Sequence, residues 1–92
     1  MQWKEYPYEK NILLNTVYDV LEHLNYPMKN ADSKAGKLQF LCGDKLIDME
    51  LSSISRNGET ATCVGVFNCD QKLSEVLLDE ISGLLIHDYK RI

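Results

Sequence analysis

Three cysteines, Cys42, Cys63 and Cys69, are the side chains of this sequence best suited to nucleophilic or metal chemistry. Structural zinc sites use four ligands, usually with C-x₂₋₄-C spacing, and no such pair occurs here. We therefore expect no metal and no cofactor, and we interpret Cys42 and Cys63 as small apolar core residues. Cys69 precedes a predicted helix start, where a thiolate is stabilised, so a reactive thiol at Cys69 is a hypothesis.

Catalysis by a thiol also needs a nearby base, and the two histidines are His23 and His87. His23 follows Asp19 by four residues on a predicted helix, a spacing typical of an exposed pair. His87 lies in the last turn of another predicted helix, where the helix dipole favours positive charge. Neither histidine therefore indicates catalysis.

Asp48 and Glu50 stand two residues apart on one predicted strand and therefore share a face. Paired carboxylates can perform acid–base chemistry or bind a hard cation. A solvated sheet face explains the pair more simply. Because the sequence also has no glycine-rich phosphate-binding motif, these observations favour a protein without enzymatic activity.

Length and charge narrow the classes of protein. The 92 residues suffice for one domain, and a hydrophobic share of 45% is ordinary for a globular chain. The net charge is −4, and the ten basic residues include no run of three. Nucleic-acid binding is disfavoured because it normally needs a basic stripe, and the same balance disfavours an anionic membrane surface.

The location of the protein can also be predicted. The first eight residues lack the apolar core of a signal peptide, and no run approaches the roughly 18 apolar residues that span a bilayer. An odd number of cysteines without an export signal favours reduced thiols. We therefore expect a cytoplasmic protein.

A β-hairpin is the strongest structural signal. Asn57-Gly58 lies between two apolar-rich runs, residues 46–54 and 60–69, and both turn positions accept positive φ at low cost. Alternation over residues 46–54 places apolar side chains on one face and Asp48 and Glu50 on the other. A further strand is expected over residues 37–43.

The last predicted strand is apolar on both faces. We assign the face with Phe67 to the core, so Val64 and Val66 are expected to point away from the helices. A chain this small has little left to cover them, and a second copy would bury them. These two valines are therefore the predicted interface residues.

Two amphipathic helices are expected at the ends of the chain. The first spans residues 9–25 and stops before Pro27, which disfavours a helical residue ahead of it. The second spans residues 70–89, with Asp70 as a good N-cap. Gly83 inside this helix costs about 1 kcal/mol relative to alanine. Residues 27–30 are expected to form a short edge strand in the four-stranded alternative and no strand in the three-stranded one.

The predicted fold class is α+β, with one domain over residues 1–92. An antiparallel meander of three or four strands carries the N-terminal and C-terminal helices on one face, as the short connections favour. Trp3, Tyr6 and Tyr8 crowd the first eight residues, and we interpret them as an aromatic arm that covers one end of the core.

Several local features together resemble a known group of proteins: the Leu24-Asn25-Tyr26 helix exit, the turn at residues 32–36, the Thr60-Ala61-Thr62 strand and the closing helix. In this order they are similar to small bacterial α-β-β-β(-β)-α domains of uncharacterised function. The resemblance spans most of the chain and implies the same fold. It contains no catalytic motif, so it implies no activity.

Three functions remain open on the sequence. The leading one is a non-enzymatic interaction module that forms a homodimer, or binds another protein, through the open sheet face or edge. The alternative is a binder of a small apolar ligand between helices and sheet, and the third is thiol-dependent activity at Cys69. The ligand site would be lined by four side chains: Tyr18, Phe40, Met49 and Phe67.

Overall fold

The computed structural model describes residues 2–89, apart from the side chains of Arg56 and of residues 87–89. Five strands form one antiparallel sheet in the order β1-β5-β4-β3-β2, and two helices accompany it. In chain order the elements are β1 (Gln2–Tyr6), α1 (Lys10–His23), β2 (Met28–Asp32), β3 (Lys37–Cys42), β4 (Lys45–Arg56), β5 (Glu59–Phe67) and α2 (Gln71–Tyr89).

The predicted α+β architecture is confirmed, with one strand more than expected. Strands β2 to β5 are neighbours in chain order and form a meander, whereas β1 joins from the start of the chain beside β5. Both helices pack on the same face of this sheet. The short strand predicted at residues 27–30 does form, as the edge strand β2. The β2–β3 turn ends at Gly36, which adopts a positive φ of 69°.

The predicted aromatic arm is instead the edge strand β1. Trp3 lies opposite Gly65 of β5, and Tyr6 lies opposite Thr62. The sequence does not predict this strand, because its helix-facing side carries the polar residues Gln2 and Lys4. The alternation of apolar and polar residues that indicates a strand is therefore missing. The Lys4 ammonium finds a polar partner on α2, which offsets its position on the core side of the sheet.

The β4–β5 hairpin forms where the sequence predicts it. Arg56 pairs with Glu59 across a two-residue loop in which Asn57 has φ 54° and Gly58 has φ 80°. Two consecutive positive φ values give a turn whose twist matches that of the strands. The turn therefore sets the register of the whole hairpin.

This register overturns the predicted orientation of Val64 and Val66. Val64 lies opposite Leu51 and Val66 opposite Met49, and directly opposite residues of an antiparallel pair share a face. Both valines are 0% exposed and belong to the core beneath the helices. They are therefore not available to a second copy, and the side of β5 that faces away from the helices carries Cys63, Gly65 and Phe67 instead.

Helix α1 ends in a hydrogen-bond pattern that its exit residues specify. The Tyr26 amide donates to the Leu21 carbonyl and the Asn25 amide to the Glu22 carbonyl, which together make a Schellman motif. Asn25 adopts the required left-handed φ of 60°. The predicted stop before Pro27 is therefore confirmed, although α1 ends at His23 instead of residue 25 and the left-handed Asn25 accompanies its end.

Helix α2 begins at the predicted cap. The Asp70 carboxylate accepts a 2.8 Å hydrogen bond from the Leu73 amide, one of the donors that a helix start leaves free. Leu77, Ile81 and Leu85 are at most 1% exposed and pack into the core. Neither described helix is both long and apolar enough to cross a bilayer.

Candidate functional site

The sheet face opposite the helices, called the outer face below, brings together polar and apolar side chains of all five strands. One row of residues crosses all five strands along the strand pairings. It consists of Trp3, Gly65, Glu50, Lys37 and Asp32. A parallel row holds Phe67, Asp48, Gln39 and Asn30.

The β1 end of the outer face is aromatic. The Trp3 indole is 43% exposed and lies across Gly65, so closely that a β-carbon at that position would come within 2.6 Å of the ring. The edge of one ring meets the face of the other between Trp3 and Phe67, with centroids 5.1 Å apart and an interplanar angle of 83°. An indole held this way is a rigid, partly apolar contact surface at the border of the sheet.

The middle of the outer face is organised by Asp48. One carboxylate oxygen accepts a 2.8 Å hydrogen bond from the Gln39 amide, and the other accepts from the Asn68 amide. Asn68 follows β5 directly and adopts a positive φ of 63°. Asp48 therefore ties β3 to the end of β5 across the sheet.

A shallow depression of about 630 Å³ lies over this part of the outer face. It extends from Phe67 across Asp48 and Glu50 to Lys37 and Asp32. Acidic side chains outnumber basic ones along it. An anionic ligand is therefore disfavoured there.

The structure does not support the catalytic or metal-binding interpretation of the carboxylate pair. Asp48 and Glu50 share the outer face as predicted, but the Asp48 carboxylate is already engaged by two amides. Within residues 2–89, no group of three or more histidine, cysteine or acidic side chains is placed to hold a metal ion. The pair is best interpreted as a part of the solvated outer face.

The four side chains of the predicted ligand site are not brought together. Phe40 and Met49 are 0% and 1% exposed and pack in the core. Phe67 lies on the outer face, because it is paired with Asp48. Tyr18 borders a different depression, between the end of α1 and β2.

That second depression, called the helix-end groove below, measures about 390 Å³. Tyr26 forms one wall and stacks on Phe40 with ring centroids 5.7 Å apart. Contact with the Cys42 side chain raises the pKa of Tyr26, and partial burial raises it further. The other lining residues are Tyr18, Leu21, Glu22, Pro27, Met28 and Ala31, and all of them except Glu22 are largely apolar.

Cys69 lies directly before the N-cap of α2, as expected, with its sulfur 2.9 Å from the Ser74 hydroxyl oxygen. The Ser74 hydroxyl also lies 3.2 Å from the Asp70 carbonyl, to which it donates. A serine hydroxyl is not a base at neutral pH, so this contact does not activate the thiol. The geometry favours a structural role for Cys69.

The remaining sequence-predicted side chains are scattered. Cys42 packs against the core as expected, but Cys63 lies on the outer face opposite Ser52 and Glu5, so its core assignment is wrong. His23 is exposed at the end of α1. The side chain of His87 lies outside the described part of the chain.

A polar cluster, buried at Tyr6 and exposed at Lys4, joins β1 to α2. The Tyr6 hydroxyl donates a 2.9 Å hydrogen bond to the Leu78 carbonyl, and the Lys4 ammonium donates to the Ser82 hydroxyl at 3.0 Å. Burial raises the pKa of Tyr6 above its ordinary value; the Ser82 hydrogen bond opposes this, and the negative charge of Asp79 adds to it. The cluster holds the edge strand against the helix layer.

Sequence reasoning missed the pair Trp3 and Gly65. The sequence shows Trp3 as one of three aromatic residues near its start, but no period-2 pattern places it on a strand. Gly65 was assigned to the core face, although a glycine inside a strand often marks a close approach by another group. That second signal is the one that could have found the site.

Comparison with known proteins identifies no family. No protein-family model matches the chain, and no curated protein matches it.

Proposed function

We propose that this chain is a non-enzymatic association module that works as a homodimer in the cytoplasm. The observation that carries the proposal is the Trp3 indole, 43% exposed and supported from below by Gly65. Tryptophan is enriched among residues that dominate binding energy at protein interfaces. Its rigid seat means that little conformational entropy is lost when a partner covers it.

The side chains that could do chemistry are already engaged by neighbours, which supports association over catalysis. The Asp48 carboxylate is occupied by neighbouring amides, and the Cys69 thiol contacts a hydroxyl group. Three free cysteines suit a reducing compartment. Exposed aromatic surface beside a polar surround is the usual composition of an interface centre and its rim.

Light scattering after size exclusion, over a range up to high micromolar protein, tests the proposal. We expect a dimer whose population rises with concentration. Trp3→Ala should weaken it about tenfold or more, the usual effect of removing an interface anchor. The matched control is Leu46→Ala, because Leu46 is equally exposed at 42% and lies away from β1, at the start of the central strand β4 beside the β3–β4 turn.

Thermal unfolding of both variants confirms that each retains its fold. A strict monomer at high micromolar concentration would contradict the proposal. Equal weakening by Trp3→Ala and Leu46→Ala would also contradict it, since the contact would then not be centred on the indole.

The helix-end groove supports a second candidate function, the binding of a small apolar compound. Its walls include Tyr18 and Leu21 on α1 and Met28 on β2, and Met28 is 36% exposed. A thermal-shift screen at fixed protein concentration separates the two functions, because a specific ligand raises the melting temperature without any change in oligomeric state. Tyr18→Ala should abolish such a shift, whereas Trp3→Ala should leave it unchanged.

A further inference from the structure

Strand β1 has an open edge. It pairs with β5 through five consecutive residue pairs without a register shift, and it is the last strand on its side of the described sheet. Every second backbone amide and carbonyl of such a strand faces outward and can pair with another chain. A regular edge without a bulge is therefore present at one border of the described sheet, and its exposed lysine, Lys4, is held by Ser82 of α2.

The opposite border is protected. Strand β2 follows Pro27 directly, and its pairing with β3 shifts register between Met28 and Asn30. Bulges, prolines and exposed lysines are the means by which natural sheets prevent edge-to-edge pairing, and Lys29 stands within this bulge. Of the two edges, β1 is the one suited to a partner strand.

Exposed apolar side chains stand on β1 itself and one helical turn from the α2 residue that contacts β1. Trp3 lies on the outer face at 43% exposure. On the helix side, Ser82 of α2 contacts Lys4 of β1, and Ile86 follows Ser82 by one helical turn at 57% exposure. A second strand paired at this edge would bring the chain that carries it next to Trp3 and Ile86. The contact would exclude water from both side chains.

Symmetry leaves three registers in which at least three residues of each β1 pair antiparallel around a two-fold axis. Opposite residues must share a face, so the axis passes through Trp3, Lys4 or Glu5. The second register sets Lys4 opposite Lys4 of the other copy, and like charges directly opposite are destabilising. The third sets Glu5 opposite Glu5 and Trp3 opposite Pro7, which has no amide hydrogen to donate.

Resting on the proposed homodimer, we propose that its two copies join through β1 with Trp3 opposite Trp3. Lys4 of each copy then faces Gln2 of the other, an arrangement without charge repulsion. The product is a continuous ten-stranded antiparallel sheet with the helices of both copies on the same side. Trp3 is thus the centre of the interface.

Disulfide trapping tests the register. Directly opposite Cα atoms of antiparallel strands lie about 4.5–5.5 Å apart, within the roughly 4.4–6.8 Å that a disulfide spans. Gln2→Cys and Lys4→Cys are each made in a background in which the three native cysteines are alanine. The two proteins are incubated separately and mixed, with oxidised glutathione as the oxidant.

The proposal expects a cross-linked dimer in the Gln2→Cys and Lys4→Cys mixture, and no cross-link of Lys4→Cys with itself. A self-cross-link of Lys4→Cys would overturn the register. Absence of any cross-link, while scattering still reports a dimer, would overturn the pairing of β1 with Trp3 opposite Trp3 and leave the homodimer intact. A monomer in scattering would defeat the homodimer itself.

Two measurements on the unsubstituted protein test the proposal even if the cysteine-free protein does not fold. Amide exchange across β1 should slow as the dimer forms. Thiol labelling mapped by mass spectrometry should leave the rate at Cys63 unchanged relative to Cys42, because edge pairing leaves the outer face uncovered beyond β1. Protection of Cys63 on association would place the partner over the outer face and overturn the proposal.

Discussion

The Tyr6 hydroxyl donates a 2.9 Å hydrogen bond to the backbone carbonyl of Leu78, and so connects the first strand to the last helix across 72 residues of chain. The Ser82 hydroxyl carries a single proton and lies close to two acceptors, the Leu78 carbonyl at 2.9 Å and the Tyr6 oxygen at 3.3 Å. Because Tyr6 is 4% exposed, the Tyr6 hydroxyl would be costly to leave without a hydrogen-bond partner.

Tyr6→Phe should lower the free energy of unfolding by about 1 kcal/mol, the net value of one such hydrogen bond. The cost stays modest because Ser82 can still donate to the Leu78 carbonyl. Thermal denaturation measures it, since about 1 kcal/mol corresponds to roughly 4–8 °C in a chain of this size. Tyr18→Phe is the control for a half-buried tyrosine; an equal loss there would contradict a special role for Tyr6.

Alkaline pH should weaken the fold through the same residue. The pKa of Tyr6 is raised in the folded protein, mainly by burial. Its contribution is therefore complete below the unfolded pKa, about 10 for tyrosine, and is lost as the pH rises from there through the folded value. Denaturant titrations between pH 8 and 11 should show a smaller alkaline loss for Tyr6→Phe, although Tyr26 acts in the same direction. An unchanged pH profile in Tyr6→Phe would contradict this assignment.

Gly65→Ala should displace the Trp3 indole. The added β-carbon would come within 2.8 Å of three ring atoms, and forcing extra volume into such a contact typically costs about 1–3 kcal/mol. Trp3 is the sole tryptophan of the sequence, so its emission should shift to longer wavelength. When Trp3 is already alanine, Gly65→Ala should cost much less stability than it costs in the unsubstituted protein, because the ring is no longer there. Additive losses in the double variant Trp3→Ala/Gly65→Ala would contradict the contact.

Gly83→Ala should stabilise the protein by about 0.5–1 kcal/mol, because alanine is the better helix former and restricts the unfolded chain. Apart from its chain neighbours and the adjacent backbone of α2, no atom of the described residues lies within 4 Å of the site where the β-carbon would be built. Gly58→Ala is the matched control of opposite sign, since Gly58 has a φ of 80° that alanine rarely adopts. Denaturant unfolding measures both, and a loss of stability in Gly83→Ala would reveal a contact at that position.

The predicted orientation of Val64 and Val66 is wrong, although the sequence contains the information needed to correct it. A two-residue loop at Asn57 and Gly58 makes Arg56 and Glu59 partners, and counting outward places Val64 opposite Leu51. Leu51 belongs to the apolar face of β4, so the valines had to share it. Composition instead favoured the face with Phe67, because both sides of β5 are apolar.

Local chemistry determined much of this protein from the sequence by itself. The hairpin turn, the Asp70 cap, the end of α1 and the number of helices depend on residues close together in the chain, so short-range patterns predict them. Tertiary structure alone decided the place of β1 and the seat of Trp3. The helix-facing side of β1 is polar, and its partners, Ser82 and the Leu78 carbonyl, lie at the other end of the chain. No local period can indicate a strand whose stability comes from contacts that only folding brings together.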